Sequence, residues 1–227
     1  MSARARSGGA LLVAVAIATA GCGSGGGDPI EKLTKARSLP VDDAARQLSI
    51  ALDDPSPRVR SFAAGLAADS AGPLAFGLLQ RAARDDHPDV RAAAAGAFGR
   101  LGRIDAVPIL TDLVHDSSSL VRQRAVQSLG ILGQKSGAGG LIAALQDHEP
   151  QVQREAARAL AVLAVPESAQ ALVTALDGDD LETRTWAARA LGALRSQEAR
   201  PRLQVMAKSQ NPYERAVAQA ALSRIGE

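Results

Sequence analysis

The chain has 227 residues, of which 46% are hydrophobic but only 2% aromatic, and its formal net charge is +2. This length allows one or two ordinary domains, and the scarcity of aromatic residues excludes a core built on large rings, so Ala, Leu and Val must pack in many close contacts. Residues 1–21 hold two of the 26 basic residues and none of the 24 acidic ones, so the remainder is formally neutral, which argues against a nucleic-acid partner.

The first element in chain order is a targeting segment, for which we predict a signal peptide over residues 1–21. Arg4 and Arg6 precede an uninterrupted apolar run of 11 residues, from Ala10 to Ala20. Such a run suits the hydrophobic region of a signal peptide and is too short to span a bilayer. The run leads into the small residues of "TAGC" and then Cys22, the only cysteine of the chain. A single cysteine excludes an internal disulfide framework.

The "TAGC" ending resembles a bacterial lipoprotein signal, in which the cysteine becomes the lipidated N-terminus. The resemblance implies lipid attachment at Cys22, export to the bacterial cell envelope and anchoring to a membrane, which is stable with two or more acyl chains. Residues 22–28 then form the lipidated cysteine and a tether, because "GSGGG" is typical of a flexible linker. The alternative is a plain secretory signal cut near Ala20, which would leave a free thiol.

Beyond the tether, residues 29–227 contain a tandem repeat with a period of 31 residues. Arginine recurs at one position of each unit, with Gln153 in the one gap: Arg60, Arg91, Arg122, Arg184 and Arg215. Alanine follows three residues later in every unit: Ala63, Ala94, Ala125, Ala156, Ala187 and Ala218. Leucine follows nineteen residues later: Leu79, Leu110, Leu141, Leu172 and Leu203. Self-similarity in several columns of one register indicates a repeat architecture.

Each unit is predicted to form two helices. Positions −1, +3, +7 and +10 from the arginine are apolar in the first, which is the spacing of one helical face. Proline lies near its start and Gly102 or Gly133 follows its end, as helix termini prefer. The second helix runs about ten residues, as in "AVPILTDLVH". We therefore predict an all-α, right-handed α-solenoid of about six 31-residue helix-pair repeats.

Two of the repeated columns predict how the units stack. The alanine at +3 allows helix axes to approach to about 8 Å, the close end of normal helix packing. The acidic column before each first helix and the arginine column within it predict a structural ladder. In that ladder Asp85 caps the helix that follows it, and Arg91 pairs with an acidic group of a neighbouring unit, which would fix the stacking angle.

The motifs "DDHPDVRAAAAGAFGRLG" and "AVPILTDLV" resemble the HEAT repeat family. In particular they resemble the short HEAT-like repeats of the phycobilisome-lyase type. The resemblance extends over residues 39–226 and implies an α-solenoid. It implies little about function, because the matching positions are packing positions.

Catalytic and metal sites are not expected from the sequence. Deoxyhypusine hydroxylases resemble this fold and bind two irons through His-Glu pairs just after the repeated arginine, but none of the equivalent pairs here is His-Glu. His87, His115 and His148 occupy positions that form no obvious cluster, and a metal needs several converging ligands. No Ser-His-Asp set can be placed either. We predict no enzyme activity, no metal and no cofactor.

The expected function is a non-enzymatic, membrane-tethered scaffold that binds a protein or peptide on its concave face. The resemblance to the family implies that the second helices of the units line this face. Seven of their outward residues are the predicted partner contacts: Arg81, Arg84, Asp112, His115, Thr174, Asp177 and Lys208. The alternative function is an accessory subunit or chaperone-like module of a separate exported enzyme.

Two aromatic residues, Phe62 and Trp186, share the +2 position of the first helices. They could be exposed anchors for a partner, because aromatic residues are enriched at interface hot spots. They could equally cover the groove between repeats. Arg158 and Arg189 share the +5 position, for which the sequence favours a charged, solvated face.

Overall fold

A computed structural model describes residues 28–226, and throughout this range the regular elements are helices, as the sequence predicts. The helices form a right-handed α-solenoid of HEAT-like helix pairs. The predicted signal peptide, Cys22 and residues 23–27 of the tether lie outside the described residues. Within residues 28–226, no helix is both long enough and apolar enough to cross a membrane.

Two kinds of helix alternate along the solenoid. The long helices are α3 (Pro57–Ser70), α5 (Pro88–Leu101), α7 (Ser119–Leu132), α9 (Pro150–Leu163), α11 (Leu181–Ala193) and α13 (Pro212–Gly226). The short helices are α2 (Val41–Ala51), α4 (Ala75–Ala82), α6 (Val107–Leu113), α8 (Ala138–Ala144), α10 (Ala169–Ala175) and α12 (Arg200–Met206). A single 3₁₀ turn precedes each short helix from α4 onward.

The N-terminal end of the solenoid is covered by α1 (Pro29–Thr34) and the 3₁₀ turn Lys35–Ser38. The Asp28 side chain accepts a hydrogen bond from the Ile30 N–H, 3.0 Å away, which caps α1 at its start. Leu33 and Ala36 are buried in this cap, which packs against α3. The first long helix therefore does not expose its outer flank to water.

The core consists of the columns that repeat in the sequence. The alanine at +3 is fully buried in all six long helices, and the leucine at +19 is fully buried in the five short helices that follow a long one. Small residues thus fill the space between neighbouring long helices, and leucines fill the space between the two rows. The predicted register is confirmed, and one continuous apolar cluster runs through the described chain.

Neighbouring long helices approach each other very closely at three glycines. A Cβ atom placed on Gly192 would lie 2.8 Å from Ala221 Cα, and one on Gly99 would lie 2.7 Å from Ser128 Oγ. A Cβ on Gly130 would lie 3.0 Å from the Ala159 Cβ. A Cβ atom on Gly192 or Gly99 would force its neighbours to shift, and one on Gly130 would make a contact tighter than most real ones, so the observed spacing favours glycine at all three positions.

The long helices form the concave side of the solenoid. They pack side by side along most of their length, whereas neighbouring short helices contact each other at few residues. In a two-layered solenoid the more closely spaced row lies on the inside of the curve. This spacing favours the long helices as the concave row, in place of the second, short helices that the sequence resemblance implied. Its physical cause is the contact between small residues of neighbouring long helices, such as Gly192 and Ala221, which brings that row close together.

A ladder of ion pairs joins successive units, as predicted. Arg60 binds Asp85 with Nε–Oδ2 and Nη2–Oδ1 distances of 2.7 and 2.8 Å. Arg122 binds Asp147 in the same two-point way, at 2.6 and 2.9 Å. Each aspartate also accepts a hydrogen bond from a backbone N–H of its own turn, as Asp85 does from His87 at 2.8 Å. The prediction that Asp85 caps α5 is therefore wrong: Asp85 orders the turn before the helix, and the N-cap residue is His87.

The ion pairs of the ladder are formed by other residues in the units where the repeated arginine or aspartate is replaced. Gln153 replaces the arginine and donates only to the Asp147 carbonyl oxygen, while the next residue, Arg154, reaches Asp180 at 3.0 Å. In the last unit Glu214 takes the place of the aspartate and lies 2.6 Å from Arg184. The stacking contact is thus kept although the residues that supply it come from other positions of the repeat.

The ladder holds its carboxyl groups ionised. The hydrogen bonds from Arg60 lower the pKa of Asp85 below its ordinary value, against the opposing effect of burial. For Asp116 and Asp147, burial has the largest single effect and raises the pKa. The hydrogen bonds from arginine and from backbone N–H groups together outweigh it, so the pKa of both residues is lowered.

Candidate partner-binding surface

The concave surface is built from one face of each long helix. Its side chains come from positions −2, +2, +5 and +9 relative to the repeated arginine, which lie on one side of a helix. The core positions −1, +3 and +7 face away from it. Two shallow grooves cross this surface, and each spans three consecutive long helices.

The N-terminal groove has a volume of about 820 Å³ and spans α3, α5 and α7. Gly65 and Gly96 lie on its floor, where a Cβ atom would meet nothing nearer than 3.9 Å. Arg100 crosses one end, where its Nη2 donates to the Gly65 carbonyl oxygen at 2.6 Å and its Nε lies 3.7 Å from Asp69. Phe62 forms an apolar part of the wall. The groove combines an open floor with charged rims.

A polar network occupies the middle of the concave surface and connects α7 to α9. Gln127 donates to Glu155 at 3.1 Å, and Glu155 accepts a hydrogen bond from Arg158 at 2.9 Å. Arg124 approaches the Gln127 side-chain oxygen from the other direction, at 3.4 Å. The predicted solvated role of Arg158 agrees with its half-exposed side chain.

The C-terminal groove has a volume of about 450 Å³ and spans α9, α11 and α13. Trp186 and Tyr213 form its aromatic walls, and the Arg189 guanidinium lies against both rings. The Arg189 Nη2 donates to the Tyr213 hydroxyl at 2.8 Å. The side chains nearest the floor are short, mainly alanines, so the groove is lined by apolar surface with cations at its edge.

The charge of the concave surface is predominantly positive. Six arginines and two aspartates line the two grooves: Arg37, Arg58, Arg100, Arg124, Arg189, Arg224, Asp69 and Asp89. The excess of arginine over aspartate in the grooves gives their lining a net positive charge. A partner with negative charge would be attracted to it.

The seven residues predicted to contact a partner all belong to the short-helix row or to the turns after it: Arg81, Arg84, Asp112, His115, Thr174, Asp177 and Lys208. All seven are exposed, but the structure places them on the convex side. Two of them join neighbouring units, because Arg81 lies 3.6 Å from Asp53 and Asp177 lies 2.6 Å from Arg202. They lie on the row opposite the two grooves, and a binding role for them stays a prediction.

The two aromatic residues at +2 combine both predicted roles, that of an exposed anchor for a partner and that of a cover over the junction between repeats. Phe62 and Trp186 are each partly buried against the core, and each also lines one of the grooves. They cover the junction between repeats with one edge and offer the other edge to the groove.

The three histidines lie in or near the turns between units. His87 accepts a hydrogen bond from the Asp89 N–H through Nδ1 at 3.2 Å and so caps α5, while His115 and His148 are exposed. Among residues 28–226, no group of three or more His, Cys, Asp or Glu side chains has the arrangement of a metal site.

Sequence reasoning missed the surface residues Tyr213, Ile131 and Val162. Tyr213 is 50% exposed in the C-terminal groove, and Ile131 and Val162 lie at +9 with 67% and 78% exposure. The small residues of the long helices are the sequence pattern from which these surface residues could have been predicted. A row spaced by alanine must be the inner row, so the outward positions of the long helices are the concave ones.

These features define the class of protein: an α-solenoid repeat scaffold with a grooved, basic concave surface. The family profile described as HEAT repeats matches residues 44–130 and 139–223, which is most of the chain. The chain belongs to the HEAT-repeat family. A search of curated proteins finds none that matches it.

Solved structures show the same fold. YibA from Escherichia coli is 21% identical, with a TM-score of 0.66, and the match covers 89% of this chain and 83% of that one. An engineered protein, structural genomics target OR366, is 22% identical with a TM-score of 0.60, covering 80% and 98%. A computationally designed armadillo repeat protein for modular peptide recognition is 19% identical with a TM-score of 0.56, covering 87% and 99%.

Proposed function

We propose that this protein is a non-enzymatic, membrane-tethered scaffold that binds a protein or peptide segment on the concave face of its long-helix row. The observation that carries the proposal is the pair of grooves, each of which crosses three consecutive long helices. Equivalent positions repeated along a row make a long surface, which suits an extended partner. Modular peptide recognition by a designed protein of similar fold agrees with this use of a solenoid.

The side chains of the grooves are suited to a transient interface. Trp186, Tyr213 and Phe62 supply rigid aromatic surface, and arginine is the charged residue most enriched in interface hot spots. The polar network of α7 and α9 separates the two grooves and offers hydrogen-bonding groups between them. Binding should therefore depend on several adjacent units rather than on one residue.

Membrane tethering forms the second part of the proposal. The "TAGC" ending and the glycine-rich run after it support a lipid attachment site at Cys22, a few residues before the solenoid. We infer an exported protein of the bacterial cell envelope that is anchored to a membrane through a lipid on Cys22.

Two pairs of glycines allow a matched test of the concave face. Gly65 and Gly96 lie on the groove floor, whereas Gly77 and Gly139 lie on the short helices α4 and α8. All four are inside helices, and a Cβ atom on any of them would meet nothing closer than 3.9 Å. The double variant Gly65→Gln with Gly96→Gln fills the groove, while Gly77→Gln with Gly139→Gln adds the same side chains to the other row.

The experiment is affinity capture of partners from detergent-solubilised membranes, followed by mass spectrometry. We expect the groove-filling variant to lose the captured partner and the short-row variant to keep it. Both should remain folded, because replacing glycine inside a helix improves helix propensity by up to about 1 kcal/mol per site. Loss of capture in the short-row variant alone would contradict the proposal.

The predicted contacts on the short helices can be tested in the same assay. Charge reversal of Arg81 and Asp112 together should leave capture unchanged if the partner binds the concave face. If that variant loses the partner while the groove-filling variant keeps it, the convex row is the binding surface. Capture of an exported enzyme would favour the accessory-subunit alternative over a general scaffold.

The tethering proposal has its own test. Cys22→Ser should move the protein from the detergent phase to the aqueous phase in detergent phase partitioning, because the acyl chains are lost. Intact-mass measurement of the wild-type protein should show an acylated N-terminal cysteine. A wild-type protein that is aqueous and unacylated would contradict this part of the proposal.

A further inference from the structure

The C-terminal groove contains an arginine that is held in place by aromatic rings. The Arg189 guanidinium carbon lies 4.7 Å from the centre of the Trp186 ring and 5.7 Å from the centre of the Tyr213 ring. Its Nη2 is fixed by the hydrogen bond to the Tyr213 hydroxyl. Stacking on aromatic faces holds the guanidinium in place through cation–π contacts and leaves its edge N–H groups available to a planar acceptor.

No described carboxylate neutralises this arginine. Within residues 28–226, Arg184 pairs with Glu214 and Arg202 pairs with Asp177, whereas Arg189, like Arg195 and Arg200, has no carboxylate within 4 Å. The residues that line the groove include Arg189 and Arg224 and no Asp or Glu. The fold therefore leaves a positive charge at the edge of an apolar groove.

From this arrangement we propose that the C-terminal groove binds an acidic peptide segment, with an apolar side chain on the groove floor and an adjacent Asp or Glu carboxylate paired with Arg189. The inference rests on the proposed function and names the chemistry of the partner. Charge complementarity selects the partner, because the charged residues that line this groove are Arg189 and Arg224. The short side chains of Ala193, Ala216 and Ala220 leave the floor open to an apolar group.

The aromatic cluster gives specificity as well as affinity. An Arg–carboxylate pair can be bidentate, and a guanidinium that is already held in place loses less freedom on binding than a mobile one. The Trp186 ring lies against the guanidinium and the Tyr213 hydroxyl holds one of its edges, so the pair is partly shielded from water, which strengthens the electrostatic attraction. An amide in place of the carboxylate would keep the shape of the partner and lose the charge.

The natural fluorophore of the groove provides the readout, since Trp186 is the only tryptophan of the chain. The probe is an N-acetylated, C-amidated peptide of alternating Glu and Leu, added to the full-length protein in detergent. The control peptides replace every Glu by Gln or every Leu by Ser. We expect a saturable change of tryptophan emission with the Glu-Leu peptide and binding weaker by about tenfold or more with each control peptide.

Three variants complete the test. Arg189→Gln should weaken binding of the Glu-Leu peptide by about tenfold or more, whereas Arg202→Gln, which removes an exposed arginine of the short-helix row, should bind as the wild type does. Ala220→Glu places a negative charge on the exposed floor, outside the core, and should also weaken binding. Ala220→Glu leaves Trp186, Arg189 and Tyr213 unchanged, so it tests the inference even if Arg189→Gln disturbs the aromatic cluster.

Equal affinity for the Glu and Gln peptides would overturn the inference, and so would the absence of a saturable change at about 1 mM peptide. Wild-type affinity in Ala220→Glu would overturn it as well. These results would leave the scaffold proposal standing as long as filling the N-terminal groove still abolishes partner capture. If the groove-filling variant keeps its partner and the Glu-Leu peptide also fails to bind, both proposals fail.

Discussion

Arg91 binds Asp116 across the boundary between two repeats through two hydrogen bonds, with an Nε–Oδ2 distance of 2.7 Å and an Nη2–Oδ1 distance of 2.8 Å. The same guanidinium also donates to the Asp85 carbonyl oxygen at 2.9 Å, inside its own turn. One side chain therefore holds the turn before α5 and the turn before α7 at a fixed separation. Repetition of this contact sets the spacing of the long helices and hence the shape of the concave face.

Removal of one ladder carboxylate should destabilise the fold strongly. Asp116→Ala leaves the Arg91 guanidinium, whose side chain is 16% exposed, without its partner, and losing one partner of a buried pair costs about 3–5 kcal/mol. Asp105→Ala breaks the exposed pair with Arg103 and should cost less than about 1 kcal/mol. Urea unfolding followed by circular dichroism measures both, and equal losses would contradict the structural role of the ladder.

Acid should weaken the ladder. The folded state lowers the pKa of Asp85, Asp116 and Asp147 below the ordinary value of 3.8, so the unfolded state binds more protons as the pH falls. The stabilisation is complete above that ordinary value and is lost as the pH falls through the lower folded-state values. Thermal melts at pH 7 and pH 3 should show a smaller acid-induced loss for Asp116→Asn than for the wild type. An identical loss would show that Asp116 does not contribute.

Substitutions in the alanine and leucine columns should cause opposite packing defects, which are overpacking at the alanine and a cavity at the leucine. Ala125→Phe overpacks the contact between long helices and should cost about 1–3 kcal/mol or more, because Ala125 is fully buried. Leu110→Ala leaves a cavity between the rows and should cost about 2–5 kcal/mol. Arg158→Ala, at a half-exposed side chain, should stay within about 0.5 kcal/mol of the wild type. Thermal melts in which all three variants match the parent would contradict the register.

Two glycines of the long helices should respond in opposite directions to the same substitution. Gly192→Ala drives a Cβ atom into the backbone of α13, 2.8 Å from Ala221 Cα, and should cost about 1–3 kcal/mol. Gly96→Ala adds a Cβ atom to open space in the groove and should stabilise the helix by about 1 kcal/mol. Denaturation midpoints that shift in the same direction would mean that the long helices are not packed as described.

The fold could be predicted from the sequence because each repeated column reports one packing constraint. The buried alanine at +3, the buried leucine at +19 and the Arg91–Asp116 contact all occur where the columns require them. The substituted positions could not be predicted in detail. Arg154 rather than Gln153 reaches the next unit, a change that depends on the reach of one side chain rather than on the pattern.

The binding surface was harder to predict because the boundary of a tandem repeat is arbitrary in sequence. A unit that begins at α4 has the long helix second, whereas a unit that begins at α3 has the short helix second. Only the relative spacing of the two rows decides which one is concave, and that spacing follows from the close contact of Gly192 with Ala221 and its equivalents. The aromatic cluster around Arg189 depends on residues from two units and has no counterpart in a single repeat.

Site-specific photo-crosslinking tests the concave binding surface most directly, because two matched valines lie on opposite rows. Val162 lines the C-terminal groove and is 78% exposed, whereas Val205 lies on the short helix α12 and is 72% exposed. A photoreactive amino acid is introduced at each position in turn, and the protein is irradiated in its native membranes. We predict a specific partner adduct from position 162 and none from position 205. An adduct from position 205 with none from position 162 would contradict the proposal that the partner binds the long-helix row.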